Sequence, residues 1–516
     1  MSNTLPLLGR RITLEQAQNA DDNILHQLEY PRQREYFFDH LSTHKAEIET
    51  IVCYHLGVKE CRVRDAQTWL SGSFNVCIPV SIDPPSKVRS IFVRIPLPYR
   101  VGEENSPENV DKKLRCEVAS YLWMQENCPD VTIPDLFGFG FPDGLNFTTP
   151  EQASFLLRSM WSIKRTLLSW FGYPIPSRYI KRRRQDTLRT GYLIIARVTK
   201  GRMLSDTFEE FRHDQTRRTN LFHSLSRISL SLNKTPLPSI GSLTFKNQGI
   251  NILKNRPLTL QLQSMENEGI PTMISRSATY SAVEPYFLDL LSCHDNRITF
   301  QPNAIHDADD GQRQLAALTM MRAVMHHFCP RDSRYGPFVF TLTDLHQSNI
   351  FVDDNWNITS LIDLEWACSL PLQFQCPPYW LSGRGIDQIE PGSDSFEEFQ
   401  QLAGEYIDVF EREERALLGA GQKLQQAPMM RRCWESGAFW YFQALNSPKG
   451  LLSVFTEHIQ RRFCPPHCEM AIFDQVVSPY WRVGAVDVIE RKIEEESRYK
   501  ERIKEYFESV AVLSEA

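Results

Sequence analysis

Asp344, Asn349 and Asp363 are residues whose types and spacing suit chemistry. They lie in one stretch, FVFTLTDLHQSNIFVDDNWNITSLIDLEWA, running from 338 to 367. Asp344 and Asn349 stand in the spacing D-x-x-x-x-N, and Asp363 closes the short apolar run at 360–362. Phosphoryl transfer asks for such a set. One carboxylate orients an attacking hydroxyl and takes its proton. An amide and a second carboxylate hold Mg²⁺ against nucleotide phosphates, because hard cations choose oxygen ligands. On this reading Asp344 is the base and Asn349 and Asp363 are the metal ligands, the pattern of a kinase catalytic loop and its metal-binding Asp. Asp and Asn are also common in turns, so an ordinary polar turn is the competing reading. His346, inside the loop, is placed either to touch substrate or phosphate or to hydrogen-bond within the loop.

These side chains act together only if short strands hold their loops side by side. The segments 338–341, 350–352 and 360–362 are apolar and β-prone, and DDNWN at 353–357 is a turn by composition. Ahead of them the chain reads β-β-β-α. WLSGSFNVCIPVSI (69–82) alternates around a small-residue turn, and SIFVRI (90–95) is a third strand. DKKLRCEVASYLWMQE (111–126) is an amphipathic helix with Leu114, Val118 and Leu122 on one face. Residues 1–65 read as polar and helical. Residues 150–190 read as a helical insertion ending in the basic run Arg178, Lys181, Arg182, Arg183, Arg184 and Arg189. That run is either a solvated face or an import or anion-binding patch. YLIIAR (192–197) reads as a buried strand, and the break at 197–203, around Gly201, is the expected lobe boundary. Helices are expected over 206–234, 283–330 and most of the chain beyond 394, with 235–282 a long irregular connection. The expected division is a helical extension over 1–64, a sheet lobe over 65–196, and a larger helical lobe over 197–516 carrying the loops at 341–367.

Hydrophobic residues make up 42% of the 516 and charged residues 23%, ample material for packed cores, which excludes a disordered chain. The net charge of −6 argues against a nucleic-acid partner, which calls for a strongly basic surface. Twelve cysteines scattered along the chain suit reduced thiols. The expected compartment is therefore the cytoplasm, with the 178–189 run as the feature suited to nuclear import. No apolar stretch has the length of a membrane span and no signal peptide is read, so no membrane partner is expected. Cys464, His467 and Cys468, with His458 nearby, make at most half of a zinc site. His326, His327 and Cys329 end an apolar helix, where core or capping roles are expected. Tyr379, Trp380, Trp434, Trp440 and Tyr441 either line a cleft or pack a core.

The segments DLHQSNIFVD (344–353) and LIDLEWA (361–367) carry a specific resemblance, supported by WLSGSFNVCIPV (69–80), FVRIP (92–96), Glu117 and IPDLFGFG (133–140). Over about 65 to 400 the chain resembles the aminoglycoside phosphotransferase family, and within it a large fungal group. The resemblance implies an α+β, two-lobed protein-kinase-like fold with an N-terminal antiparallel-sheet lobe and a larger, mainly helical C-terminal lobe. It implies ATP- and Mg²⁺-dependent phosphorylation of a hydroxyl on a small-molecule acceptor. It further implies that Ser71, Gly72, Ser73 and Asn75 form a nucleotide-covering turn, whose small residues let backbone N–H groups approach phosphate. Arg94 stands where kinases carry a phosphate-contacting lysine, and Glu117 would be its ion-pair partner. There are two departures. The family usually has His-Gly immediately before the catalytic Asp, and this chain has Leu342 and Thr343; and arginine replaces lysine at 94. Both point toward the alternative, a weak or inactive pseudokinase acting as a binding scaffold.

Overall fold

A computed structural model of the protein describes residues 4–82, 90–183, 188–419, 422–464 and 470–515. Arg184, His467 and Cys468, singled out above, lie outside these residues. The chain forms an antiparallel-sheet lobe followed by a helical lobe.

It begins with a hairpin, β1 (Thr4–Leu7) and β2 (Arg10–Thr13). Two helices follow, Tyr30–Thr43 and Lys45–Leu56. The sheet then contains, among the described residues, eight strands: β3 (Cys61–Val63), β4 (Leu70–Ser71), β5 (Asn75–Ile82), β6 (Ser90–Pro96), β7 (Leu136–Gly140), β8 (Leu145–Thr148), β9 (Ile180–Arg183) and β10 (Tyr192–Ala196). Their order is β3-β5-β6-β10-β7-β8-β9, with β4 on the end of β5, and every pairing is antiparallel. Side chains of successive strand residues point to opposite faces. In β10, Tyr192 and Ile194 join one core with Val76, Ile78 and Val80 of β5 and with Ile48, Ile51 and Val52 of the second N-terminal helix. Leu193 and Ile195 join the opposite core, with Leu114, Val118 and Leu122 of the helix Asn109–Asn127. The sheet is thus covered on both faces. Arg94 pairs with Leu193 across β6–β10, which puts it on the face toward that helix.

The link to the helical lobe turns at Gly201, whose φ is +81° and where a Cβ would overlap the Val352 carbonyl; only glycine fits. Arg202–Met203 then pairs with Ile350–Val352, which pairs in turn with Ile358–Leu361. A second ribbon joins Phe338–Leu342 to Ala367–Pro371, with Leu342 opposite Ala367. Residues 343–349 run from the second ribbon to the first, and residues 362–366 run from the first back to the second. Two loops with shared anchors at both ends must lie side by side. The long helices Gln215–Leu232, Val283–Phe300, Ala308–Phe328, Asp394–Leu417 and Ala485–Glu515 form the rest of the lobe.

Three segments differ from the sequence reading. The first residues are a hairpin rather than helical, because Leu5, Leu7 and Ile12 alternate onto Tyr499, Ile503 and Phe507 of the last helix. Within 235–282, Ser242–Phe245 pairs with Asn251–Asn255, and Leu260–Asn267 is a helix. Leu243 and Phe245 are buried against the sheet lobe, and the Phe245 ring meets Phe139 and Phe147. Among the described residues of the 150–190 insertion, the α-helix is Phe155–Trp170, after a 3-10 turn at Pro150–Gln152; Lys181, Arg182 and Arg183 lie in β9 at the sheet edge. No helix among the described residues is long and apolar enough to cross a membrane.

Candidate active site

Asp344 and Asn349 sit in the loop between the two ribbons, and Asp363 sits in the loop beside it. The Ile362 N–H donates to the Asn349 carbonyl at 3.0 Å, so Asp363 lies one residue from Asn349 across the ribbon. The Asn349 Nδ2 donates to the Asp344 carbonyl (2.8 Å) and reaches Asp344 Oδ2 at 3.3 Å. Its amide oxygen is therefore the atom left to face a cation. Asp363 adopts φ 59° and ψ 66°, the left-handed region that Asp tolerates better than most residues. This reversal aims its carboxylate at Arg94.

Arg94 draws three elements together. Its Nε lies 2.9 Å from Glu117 Oε1, its Nη1 2.7 Å from Asp363 Oδ1, and its Nη2 2.9 Å from Glu365 Oε2. Glu117 is fully buried on the helix Asn109–Asn127 rather than on an exposed helix face. One turn earlier, the buried Lys113 contacts Glu365 at 2.5 Å, lies 3.8 Å from Glu117, and donates to Asn75 Oδ1 at 2.7 Å. Asn75 Nδ2 donates to Glu365 at 2.6 Å. Asn75 is thus within the buried charge cluster, while Ser71, Gly72 and Ser73 form an exposed turn closed by Gly72 N–H to the Asn75 carbonyl (2.9 Å). Burial raises the Glu117 carboxyl against the pull of Arg94 and Lys113. Burial acts on Glu365 in the same sense, but Lys113 and Arg94 outweigh it and hold that carboxyl low. The Arg94 guanidinium stays charged despite its burial, because Asp363, Glu117 and Glu365 surround it. Buried charges require such pairing.

Asp344 is pushed up to about 7, first by burial and then by the negative charges of Glu365 and Asp363. His346 Nε2 stands 3.7 Å from Asp344 Oδ1, and its Nδ1 accepts from the Ser348 N–H at 3.2 Å. Burial lowers its pKa, so it is a neutral loop residue near pH 7. The residues before Asp344 are tied to the neighbouring loop. Thr343 Oγ1 and the Thr343 N–H both donate to the Trp366 carbonyl, at 2.5 and 3.3 Å, tying one loop to the other. Trp380 Nε1 donates to the Leu345 carbonyl at 2.8 Å from the far side.

Asp344 opens onto a cavity of about 680 Å³. Phe74, Thr341, Thr343, Tyr379 and Trp380 line it, as do Asp22, Tyr30, Arg100, Glu268, Arg297 and Lys449. Burial pushes Glu268 up to about 7 against the pull of Arg297 and Arg100. Trp434, Trp440 and Tyr441 pack in the helical-lobe core instead. His458 is stacked on Trp440 and donates to the Ile389 carbonyl at 2.6 Å; burial lowers it to about 4. His327 packs on Phe463, His326 bonds the Ala323 carbonyl and Cys329 is buried, all within helix packing.

Sequence reasoning did not single out Lys113, Glu365, Thr343 as a brace, or Glu268. Lys113 had a signal, standing four residues before Glu117 on a helix, and Glu365 had another, two residues beyond Asp363.

No family model matches the chain, and no curated protein matches it. Among solved structures, a choline kinase from Cryptosporidium parvum Iowa II is similar at 13% identity and a TM-score of 0.37, covering 87% of this chain and 97% of that one. A likeness at that score decides neither fold family nor activity.

Proposed function

We propose that this chain is a small-molecule kinase of the protein-kinase-like fold, resembling the aminoglycoside phosphotransferases. It would move the γ-phosphoryl of ATP to an acceptor hydroxyl with Mg²⁺. The observation that carries the reading is the convergence on Arg94. One guanidinium from the third strand of the sheet touches a helix glutamate and the aspartate of the second loop, at 2.9 and 2.7 Å. A lone polar turn gives no reason for that three-element contact.

The donor set fits a hard cation, since Asp363 Oδ and Asn349 Oδ1 are the oxygens on adjacent loops. Mg²⁺ held there with the nucleotide would supply neutralisation of the phosphate charge. The chain's own residues do the rest. The Ser71–Gly72–Ser73 turn presents backbone beside the charge cluster. Arg94 and Lys113 place two cations under the sheet. Asp344, which lines the cavity, would orient the acceptor hydroxyl and take its proton, and a carboxyl near 7 suits that task. The cavity has the volume of ordinary small-molecule sites. The pseudokinase reading draws on one observation, that Arg94 occupies the carboxylate needed for metal.

Thermal melting with Mg-ATP separates them. Nucleotide at ~100 times Kd adds about 2.7 kcal/mol of stability. Asp363→Asn, which keeps the tolerance for positive φ that alanine lacks, is expected to lose the Mg-dependent part of that gain while melting normally alone. A variant that retains it would misplace the metal site, and a parent with no gain would favour the scaffold.

A further inference from the structure

The helix Phe155–Trp170 contains no buried residue. It joins β8 to the edge strand β9, and none of its residues enters the charge cluster or the cavity. Projected at 100° per residue, Leu156, Met160, Ile163, Leu167, Trp170 and Phe171 fall on one side. All six are exposed, with Leu156 at 73%, Ile163 at 59% and Trp170 at 78% of full accessibility. By another side the helix is tied to the loop that follows it, where Trp161 Nε1 donates to the Ser177 carbonyl (3.2 Å) and Arg165 Nε to the Pro176 carbonyl (2.9 Å); the Ser177 N–H in turn donates to the Gly249 carbonyl (2.6 Å). An apolar face turned outward on a helix that is held in place marks an interaction surface.

Its charge identifies the partner. From 152 to 185 the sequence has no Asp or Glu, yet it carries Arg158, Lys164, Arg165, Arg178, Lys181, Arg182, Arg183 and Arg184. None of the described cations among these forms an ion pair with a described residue. Lysines and arginines on β9 also protect an open sheet edge from pairing. That need does not reach Arg158, Lys164, Arg165 or Arg178. A second copy of the chain is disfavoured, because pairing this face with itself would set cations against cations. We propose that Phe155–Trp170 is an interfacial anchor that lays its apolar face into an anionic lipid surface, with β9 and its neighbours binding the headgroups. Its length of roughly 24 Å is short of a bilayer core but sufficient to lie within the interface. Trp170, Phe171 and the exposed Tyr173 supply the amphipathic rings favoured at that depth. The proposal departs from the sequence reading, which expected no membrane partner and left the basic run as a solvated face or an anion-binding patch. The inference is independent of the kinase reading.

Vesicle co-sedimentation of the full chain tests it. Binding to phosphatidylcholine vesicles containing about one-third phosphatidylserine is expected, weakening with salt and about tenfold weaker on pure phosphatidylcholine. Leu156→Asp with Ile163→Asp is expected to abolish it, and Lys164→Glu with Arg178→Glu to weaken it by about tenfold or more. Both variants should melt close to the parent, since Leu156, Ile163, Lys164 and Arg178 are all exposed. Equal binding by parent and variants, equal binding to the two vesicle types, or no binding by the parent would overturn the proposal. So would light scattering that shows a dimer lost in the double Asp variant while vesicles are ignored.

Discussion

The burial of Asp344 is expected to show in how stability depends on pH. Its carboxyl titrates near 7 in the folded chain against 3.8 as the ordinary value, because it is buried beside Glu365 and Asp363. The folded state therefore holds a proton that the unfolded state releases, and stability falls as pH rises from about 4 to about 7. Asp344→Asn removes that titration. The variant is expected to match the parent near pH 4 and to exceed it above pH 7 by up to about 4 kcal/mol in denaturant unfolding. Its turnover should be lower by roughly 10²–10⁴-fold, with nucleotide affinity little changed. Parallel stability curves from pH 4 to 8 would show that the carboxyl is not held up. Asp344, Asn349 and Asp363 were legible in the sequence because their meaning lies in spacing along the chain, with short β-prone runs between them. Lys113 and Glu365 were not, since a buried ion pair is defined by a partner 252 positions away. Thr343 was legible only as a departure, and its contact with the Trp366 carbonyl exists only once the two ribbons are paired.

The turn between β4 and β5 presents a question that its own packing does not answer. A Cβ placed on Gly72 would meet nothing nearer than the Asn75 carbonyl at 3.6 Å, an ordinary contact, and its φ is not positive. Nothing in the fold demands glycine there, and under the kinase proposal the open space is where nucleotide phosphate would approach. Gly72→Ala is expected to melt as the parent does without nucleotide and to bind Mg-ATP about tenfold more weakly, ~1.4 kcal/mol. A lowered melting point with unchanged affinity would assign the glycine to the fold instead. The flanking strands were readable because Val76, Ile78 and Val80 alternate cleanly, as do Ile91, Val93 and Ile95. The edge strand β9 was not, because Lys181, Arg182 and Arg183 mask the alternation with charge. Ser242–Phe245 was lost among prolines and asparagines, although Leu243 and Phe245 keep the two-residue period that marks a strand.

Across the whole molecule, the segment around Asp22 is fastened beside the cavity that Asp344 lines. Asn303 Nδ2 donates to the Ala20 and Asp22 carbonyls at 2.9 Å each, Gln301 Nε2 donates to the Asp21 carbonyl at 2.8 Å, and Lys449 pairs with Asp22. Asp22 and Tyr30 line the cavity wall. Deleting residues 1–23 is expected to raise the acceptor KM about tenfold while the Mg-ATP melting shift persists; loss of that shift would show that the two ends of the site are not separable. This arrangement was illegible locally, because a helical reading of 1–65 takes no account of a surface supplied by the last helix. The same feature orders the chain's synthesis. The Ile24 N–H donates to Tyr499 Oη at 2.7 Å, and Leu5, Leu7 and Ile12 rest on Ile503 and Phe507. The hairpin therefore waits for a helix made far later, the Ile24–Tyr499 contact spanning 475 positions. During translation the sheet can close as soon as β10 emerges, but the hairpin's apolar side stays uncovered until the helix Ala485–Glu515 leaves the ribosome. A contact across 475 positions carries a large loop-closure entropy, so it is expected to form late.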